Sequence, residues 1–425
     1  MIETIVARSS GAPPAAIAII RISGPAAFAA VAALTGTLPA PRCASLRAVR
    51  GADGALLDRA LILLFPGPAS ATGEDVAELH CHGGRAVTEA VQNAILSWPG
   101  LRMAEPGEFT RRALLNGRMD LAQAEGLADL LEAETEAQRR AALTATEGRV
   151  SAAVRGWMSM IADLAARVEA TLDYAEEGDV EQEDLLLAGV VADAALLRAE
   201  IVAALAAPPV ERLYDGLRVV IAGPPNAGKS TLLNLLSQRE AAIVTPVAGT
   251  TRDRIEVAVR REEAAFLLID TAGLSDAADP VEQIGVTRAR DAIVEADLLL
   301  WLGDDPPPRS DALWVHARSD LEGRAVLPSG RSLAISKHDL ASIERCWQAV
   351  ASQAERLLPR SGELPLKAAQ RSSCLTVTEL LMLPSDPLLV AEHLRTASVL
   401  LGRLLGINAP EAVRDALFAR FCLGK

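Results

Sequence analysis

The apolar positions of this chain change their period along its length. Up to about residue 118, short apolar runs such as Ile17-Ala-Ile-Ile-Arg21-Ile and Leu61-Ile-Leu-Leu-Phe65 are separated by turn signals at Pro13-Pro14, Pro66-Gly67 and Gly83-Gly84. That pattern predicts a small α+β domain. From about Asp120 the period becomes helical: Ile161, Leu164, Val168 and Leu172 recur one turn apart in an Ala-rich context, which predicts long packed helices. The acidic run Glu176 to Asp184 is expected to be a solvated break between two of them, because like charges repel rather than pack. The helical pattern ends at Pro208-Pro209, buried-strand runs follow at Leu217–Ala222, Phe266–Asp270 and Leu298–Leu302, and helical periodicity returns near Leu394, Leu401 and Leu405. The chain therefore reads as multidomain α/β: an α+β domain at 1–118, a helical domain at 119–212 and 360–425, and inserted into it at 213–359 an α/β domain with a mostly parallel sheet and helices on both faces.

The inserted segment carries the most specific chemistry. Gly223-Pro-Pro-Asn226-Ala227-Gly228-Lys229-Ser230 lies between a predicted strand and the helix-like run from Thr231 to Leu236. Glycines there let backbone N–H groups turn toward bound phosphates, Lys229 can reach the outer phosphates, and Ser230 can ligate Mg²⁺ at a helix N-terminus. Asp270 closes a buried strand and can hold the Mg²⁺ shell, and Thr271-Ala272-Gly273 after it offers an N–H to a γ-phosphate. Thr245-Pro-Val247-Ala-Gly-Thr250-Thr251-Arg-Asp253 has the polar, glycine-containing character of a switch loop, in which a Thr, here Thr251, completes the Mg²⁺ coordination only when the γ-phosphate is present. Guanine is usually read by Asn-Lys-x-Asp after a later strand, and here Ala317-Arg318-Ser-Asp320 stands in that place. Asp320 can still accept from guanine N1–H and the exocyclic amine, but Ala317 lacks the hydrogen bonds of Asn, so the expectation is GTP preference with weakened affinity.

Composition narrows the setting. With 425 residues, 50% of them hydrophobic but only 3% aromatic, the chain can fill two or three cores with Ala, Leu and Val. Five scattered cysteines, Cys43, Cys81, Cys346, Cys374 and Cys422, have no C-x-x-C spacing, which argues against structural zinc and a disulfide framework. No charged leader with an apolar stretch opens the chain and no apolar run approaches membrane length, so a cytoplasmic protein without membrane partners is expected. A net charge of −13 argues against a broad phosphate-binding surface; nucleic acid would need a local patch or a basic partner. His80-Cys81-His82 invites a metal reading, but strand alternation puts the two His on one face, Cys81 on the other, and no fourth ligand follows.

Further motifs run nearly end to end: Ile19-Ile-Arg21-Ile-Ser-Gly24, Thr72-Gly-Glu-Asp75 with Glu78 and His82-Gly-Gly84, Pro106-Gly-Glu-Phe-Thr110, Leu115-Asn-Gly-Arg118-Met-Asp-Leu121 with Gln123-Ala-Glu125, and the terminal Phe421-Cys422-Leu-Gly-Lys425. Together with the nucleotide motifs, they resemble the tRNA-modification GTPases called MnmE or TrmE, which implies that the inserted domain is a Ras-like P-loop GTPase domain. The resemblance implies a homodimer formed through an N-terminal domain that binds 5-formyltetrahydrofolate or a related tetrahydrofolate. It also implies an FAD-containing partner of the MnmG type, bound in a heterotetramer or larger, and installation of a carboxymethylaminomethyl or aminomethyl group at carbon 5 of the tRNA wobble uridine. By motif, Arg21, Glu78, Arg118 and Lys425 match folate-contacting positions, with Arg118 where the family often has Lys. Asn226, with the loop residues Thr245, Val247 and Thr250, matches a K⁺ site that stands in for an arginine finger. The terminal Cys422 matters for modification in the family; by itself, a Cys near the end of an apolar helix is more often a buried hydrophobe. Two other readings stay open on the residues alone: a ribosome-assembly type GTPase switch, and a hydrolysis-poor scaffold for the modifying partner.

In the family a Glu after the Asp-Thr-Ala-Gly segment orients the attacking water, and Asp276, one methylene shorter, stands in its place here. Looser water positioning slows turnover, so Asp276→Glu is expected to raise kcat for GTP, by up to about 100-fold. A single-turnover comparison checks this, and an unchanged or lower rate refutes it.

Overall fold

The computed structural model describes residues 3–175, 180–238, 241–242, 255–261, 264–271, 289–360, 362–407, 414, 417–419, 421 and 424. The chain divides into two compact units, residues 1–128 with 146–154 and 402–425, and residues 129–145 with 155–401.

In the first unit, alternating apolar residues build strands β1 (Thr4–Arg8), β2 (Ile17–Ser23), β3 (Ser45–Arg50), β4 (Leu56–Phe65), β5 (Val76–His82) and β6 (Leu101–Met103). They form one sheet in the order β3-β4-β5-β2-β1-β6, antiparallel except where β1 meets β6. Ile20, Ile22, Ile62, Leu64 and Leu79 point to one face and pack with Val31 and Leu34 of the helix Ala27–Thr35 and Val91 and Ile95 of the helix Arg85–Leu96. Each such side chain contributes roughly 1.5–3 kcal/mol by leaving water. The same alternation turns Arg21 to the opposite face, where the β2/β5 register sets it across from Glu78. The C-terminal residues Leu417, Phe418 and Phe421 pack against Leu121, Ala124 and Ala128. Gly424 then lies against the end of β1: Ser9 Oγ donates to its carbonyl at 2.8 Å, and a Cβ on Gly424 would come within 2.1 Å of the Arg8 carbonyl oxygen. Only glycine fits there.

The second unit holds a seven-stranded sheet in the order β13-β12-β11-β7-β10-β9-β8. Its strands are β7 (Leu217–Ala222), β8 (Ala241–Ala242), β9 (Ile255–Arg261), β10 (Ala264–Asp270), β11 (Leu298–Trp301), β12 (Leu313–Ala317) and β13 (Leu333–Ile335). From β13 to β10 the pairs are parallel, and β9 and β8 are antiparallel additions at one edge. Leu217, Val219 and Ile221 face a core shared with the helices Lys229–Ser237 and Leu340–Ala354, while Val220, Ala222 and Ile269 face Ala292 and Ala296 on the other side. Both faces are thus covered, which explains strands that read as continuous apolar runs. Trp347 anchors the first core, edge-on to Phe266 with centroids 5.3 Å apart.

Long helices supply the rest. In the helix Arg149–Ala175 the buried positions Val150, Val154, Trp157, Ile161, Leu164 and Val168 keep a single apolar face, and Trp157 Nε1 donates to Glu200 at 2.9 Å on the helix Val180–Leu205. Arg371, on the helix Ala368–Leu380, donates to the carbonyls of Leu205 (2.7 Å) and Ala207 (2.6 Å). A cation there satisfies carbonyls at the negative end of the helix. The expected acidic break is shorter than the sequence suggested: the helix already begins at Val180, so residues 180–184 are helical, and 176–179 lie outside the described residues. Acidic residues at a helix start face the positive end of the dipole and do not oppose the helix.

Glu108, the first residue of the helix Glu108–Leu115, is a polar keystone of the first unit. Burial works against its charge, but hydrogen bonds from Arg102 (2.6 and 2.8 Å), the Glu105 N–H and Arg112 overcome that and hold its carboxyl at about 2. A carboxyl lowered on folding stabilises fully above its ordinary value of 4.5, and the contribution is lost as pH falls toward about 2. Glu108→Gln is expected to cost up to about 3 kcal/mol at neutral pH and little near pH 2, read from thermal unfolding across that window.

Candidate functional site

The parallel pairing of β7 and β10 places Ile221 beside Asp270, so both strands end at one edge of the sheet. From there the chain turns through Gly223 and Asn226 (φ 59°) to Gly228, whose φ of 99° starts the helix Lys229–Ser237. Lys229 is buried, and its Nζ donates to the carbonyls of Gly223 (3.1 Å) and Pro224 (3.0 Å), which holds the ammonium inside the loop. Ser230 Oγ donates to Asp270 Oδ2 at 2.5 Å, and Thr271 Oγ1 ties back to the Ile221 carbonyl at 3.0 Å. A hydroxyl and a carboxylate from separate elements thus meet at the positive end of a helix. That pair of hard oxygen donors fits Mg²⁺, and the loop and helix N–H groups fit phosphate.

Beside the loop opens a cavity of about 440 Å³, bounded by Gly228, Thr231, Arg318, Asp320, Lys337 and His338 among others. Arg318 adopts a left-handed conformation (φ 60°) just after β12, turning the chain so that Asp320 reaches the cavity. A hydrogen bond from Ser336 lowers the Asp320 carboxyl below its ordinary range, aided by Lys337 and His338. Ala317 is buried at the end of β12.

A cluster that the sequence did not reveal holds this turn in place. Buried His316 accepts at Nδ1 from Arg331 (2.9 Å) and lies 2.9 Å through Nε2 from the Arg324 carbonyl. Guanidinium can only donate, so Nδ1 is the acceptor and Nε2 the donor to the carbonyl. Arg324 also donates to the Ala317 carbonyl at 3.1 Å, and hydrogen bonds from Arg324 and then Arg331 hold the Asp304 carboxyl at about 2. Nothing in the spacing of 304, 316, 324 and 331 signals a cluster. Ser336-Lys337-His338 was legible in principle, as a polar triplet closing the short apolar run Leu333–Ile335.

Of the other sequence candidates, Arg21 and Glu78 meet directly, with Arg21 Nε donating to Glu78 at 2.9 Å and its guanidinium 5.7 Å from the Phe109 ring centroid. His80 Nε2 lies 3.2 Å from the same Glu78, while His82 Nδ1 pairs with Asp58 at 2.7 Å, so each imidazole has its own carboxylate, and Cys81 is buried on the opposite face. Arg118 is exposed. Thr72, Glu74 and Asn116 are committed to internal ties: Ser23 donates to Glu74 at 2.7 Å, Arg112 reaches Glu74 at 2.9 Å and Asn116 Nδ2 donates to the Thr72 carbonyl at 2.7 Å. Thr245, Val247, Thr250, Thr251, Ala272, Gly273, Asp276, Cys422 and Lys425 lie outside the described residues.

A mostly parallel sheet with this loop at the C-terminal end of a central strand defines a P-loop nucleotide-binding protein, here joined to an α+β domain and long helices. The profile described as GTP-binding protein TrmE N-terminus matches residues 4–118, and that of the MnmE helical domain matches residues 121–422. The chain is 49% identical to the tRNA modification GTPase MnmE of Erythrobacter litoralis over all of both chains. It is 51% identical to that of Rhizorhabdus wittichii over all of this chain and 97% of the relative, and 47% identical to that of Novosphingobium aromaticivorans over all of both. The chain belongs to the MnmE family.

Gly228 has open space around its missing Cβ but a backbone that L-residues avoid, so Gly228→Ala isolates conformational strain from steric clash. The substitution is expected to cost about 1–2 kcal/mol and lower the melting temperature by several degrees in nucleotide-free protein, measured by thermal unfolding.

Proposed function

We propose that this protein is a Mg²⁺-dependent, K⁺-stimulated GTP hydrolase whose cycle drives modification of tRNA wobble uridine at carbon 5. The observation that carries the reading is the Ser230–Asp270 contact at the phosphate loop, 2.5 Å long, beside a cavity whose rim presents the Asp320 carboxylate. GTP fits this arrangement end to end. Its phosphates meet the loop N–H groups and Lys229, and guanine N1–H and its amine donate to Asp320. Bound Mg²⁺ would be held by Ser230 and Thr251 with Asp270 near, and supplies charge neutralisation between the phosphates. Asn226 is the described member of the proposed K⁺ site, with Thr245, Val247 and Thr250; Asp276 is assigned to the attacking water.

The same reading gives the N-terminal domain a tetrahydrofolate such as 5-formyltetrahydrofolate, with the Glu78 carboxylate accepting from a pterin amine and Arg21, Arg118 and Lys425 available to the glutamate tail. It further comprises a homodimer through that domain, a nucleotide domain at 213–359 inserted into the helical one, an FAD-containing MnmG-type partner, Cys422 acting in modification, and a cytoplasmic setting. Among the described residues no helix is long and apolar enough to cross a membrane. A second reading, a scaffold with little hydrolysis, is favoured by one observation alone: at Ala317 no side-chain amide faces the base cavity.

Purified protein is expected to hydrolyse GTP about 100-fold faster in KCl than in NaCl, the scale of one charge-stabilising group in the transition state, with excess ATP failing to compete. Measured turnover in the two salts decides the matter. Absence of hydrolysis in both would establish the scaffold reading, and equal rates would remove the K⁺ site.

A further inference from the structure

The second unit contains an arginine-lined cleft of about 640 Å³, away from the phosphate loop in the sheet. Arg140 reaches it from the helix Glu136–Thr146, Arg261 from the end of β9, and Arg356 and Arg360 from the segment after the helix Leu340–Ala354. Among the described residues one acidic side chain, Glu355, lines it, and Glu363 lines a smaller adjoining hollow that shares Arg140 and Arg360.

The four guanidiniums are not equally committed. Arg261 is paired with Glu344 and stacked 5.2 Å from the Trp347 ring centroid, so it is fixed in place. Arg140 stands 4.0 Å from Glu136, whose carboxylate already accepts two hydrogen bonds of 2.8 Å from Arg139. Arg356 and Arg360 are exposed, and no ion pair engages either side chain among the described residues. In a chain of net charge −13, the overall field repels polyanions, so such a ligand can dock only where positive charge is concentrated.

We infer that this cleft is a docking site for the phosphate backbone of RNA, held chiefly by Arg356 and Arg360; the inference rests on the reading of the protein as acting on tRNA. Guanidinium is suited to that ligand because its planar fork bonds two phosphate oxygens at once. Contacts of this kind fix register without reading sequence, and each releases condensed counterions. The cleft draws its arginines from three separate elements, as a ligand carrying charge at repeated intervals requires.

The test uses the full chain and a fluorescently labelled tRNA transcript, with anisotropy titrations at several KCl concentrations. Arg356→Ala and Arg360→Ala are each expected to weaken binding about fivefold and to reduce the slope of log affinity against log salt by about 1, whereas Arg356→Lys keeps the slope. GTP hydrolysis, measured on the same preparations without RNA, is expected to be unchanged. Equal affinity and slope in wild type and the double variant would overturn the cleft while leaving the tRNA reading intact. Absence of binding by the wild type at low salt would instead remove the RNA reading, and the cleft with it. A third outcome, polyglutamate binding lost in the double variant while RNA binding is retained, would overturn the inference in favour of an acidic protein segment.

Discussion

The register between β7 and β10 is the constraint on which the nucleotide site depends. Because Asp270 lies opposite Ile221, the strand that feeds the loop and the strand that supplies the carboxylate end together. Ser230, first turn of the next helix, then falls within hydrogen-bond reach of Asp270 without any adjustment of the loop. A one-residue slip would reverse every side chain of β10, exposing Leu268 to the wrong face and carrying Asp270 away from Ser230. The apolar cores on both faces therefore fix the polar geometry: Leu217, Val219 and Ile221 choose one side and Val220 and Ala222 the other, leaving a single register.

The first unit solves a different problem, that of keeping charged residues near its core. Glu108, Arg102, Arg112 and Glu74 form a continuous set of ion pairs, and Ser23, itself hydrogen-bonded to the Thr72 hydroxyl, donates to Glu74. A buried charge of this sort is tolerated only when its partners are all present, which makes the set a specifier of geometry more than a source of net stability. It holds the loop of residues 72–75 against the helix Glu108–Leu115. Arg21 and Glu78 lie on the face of the sheet opposite the helices Ala27–Thr35 and Arg85–Leu96, beside Phe109 of the helix Glu108–Leu115, paired with each other yet still partly exposed. An incoming anion or amine can exchange with one member of that pair at modest cost, which the fully committed set does not permit.

Much of this was legible in the sequence because local pattern and local chemistry coincide. The strand at 217–222, the turn with its glycines and the helix from Lys229 are consecutive, so one short window contains both the apolar signal and the ligand groups. Alternation around Cys81 likewise gave the correct faces, since the period of a strand is fixed by its backbone. What was not legible depends on contacts across sequence. His316, Arg324, Arg331 and Asp304 are brought together by β11, β12 and the turns that follow them, and no spacing rule anticipates that. Thr72 and Glu74 show the converse limit: residues inside a recognisable motif can be conscripted to hold a loop. The acidic run ending at Asp184 was misjudged because charge repulsion was weighed without the helix dipole.

The cluster around His316 bears on the proposed base-recognition element Ala317–Asp320, where Ala stands at the position usually held by Asn. Replacing Asn by Ala at position 317 deletes side-chain hydrogen bonds, and in a mobile loop the remaining Asp320 would also have to be ordered on binding, at a cost of roughly 0.5–1.5 kcal/mol per immobilised side chain. Here the turn is already tied: Arg324 binds the Ala317 carbonyl, His316 engages the Arg324 carbonyl, and Asp304 holds Arg324 and Arg331 from outside. Ser336 adds a hydrogen bond that lowers the Asp320 carboxyl below its ordinary range, and a carboxylate accepts from a purine's N–H groups. Ordering paid for during folding is not charged again when the ligand arrives, so a rigid turn offsets part of what the missing amide removes. On the proposed assignment of Asp320 to the base, fewer contacts would be made from a better-fixed frame.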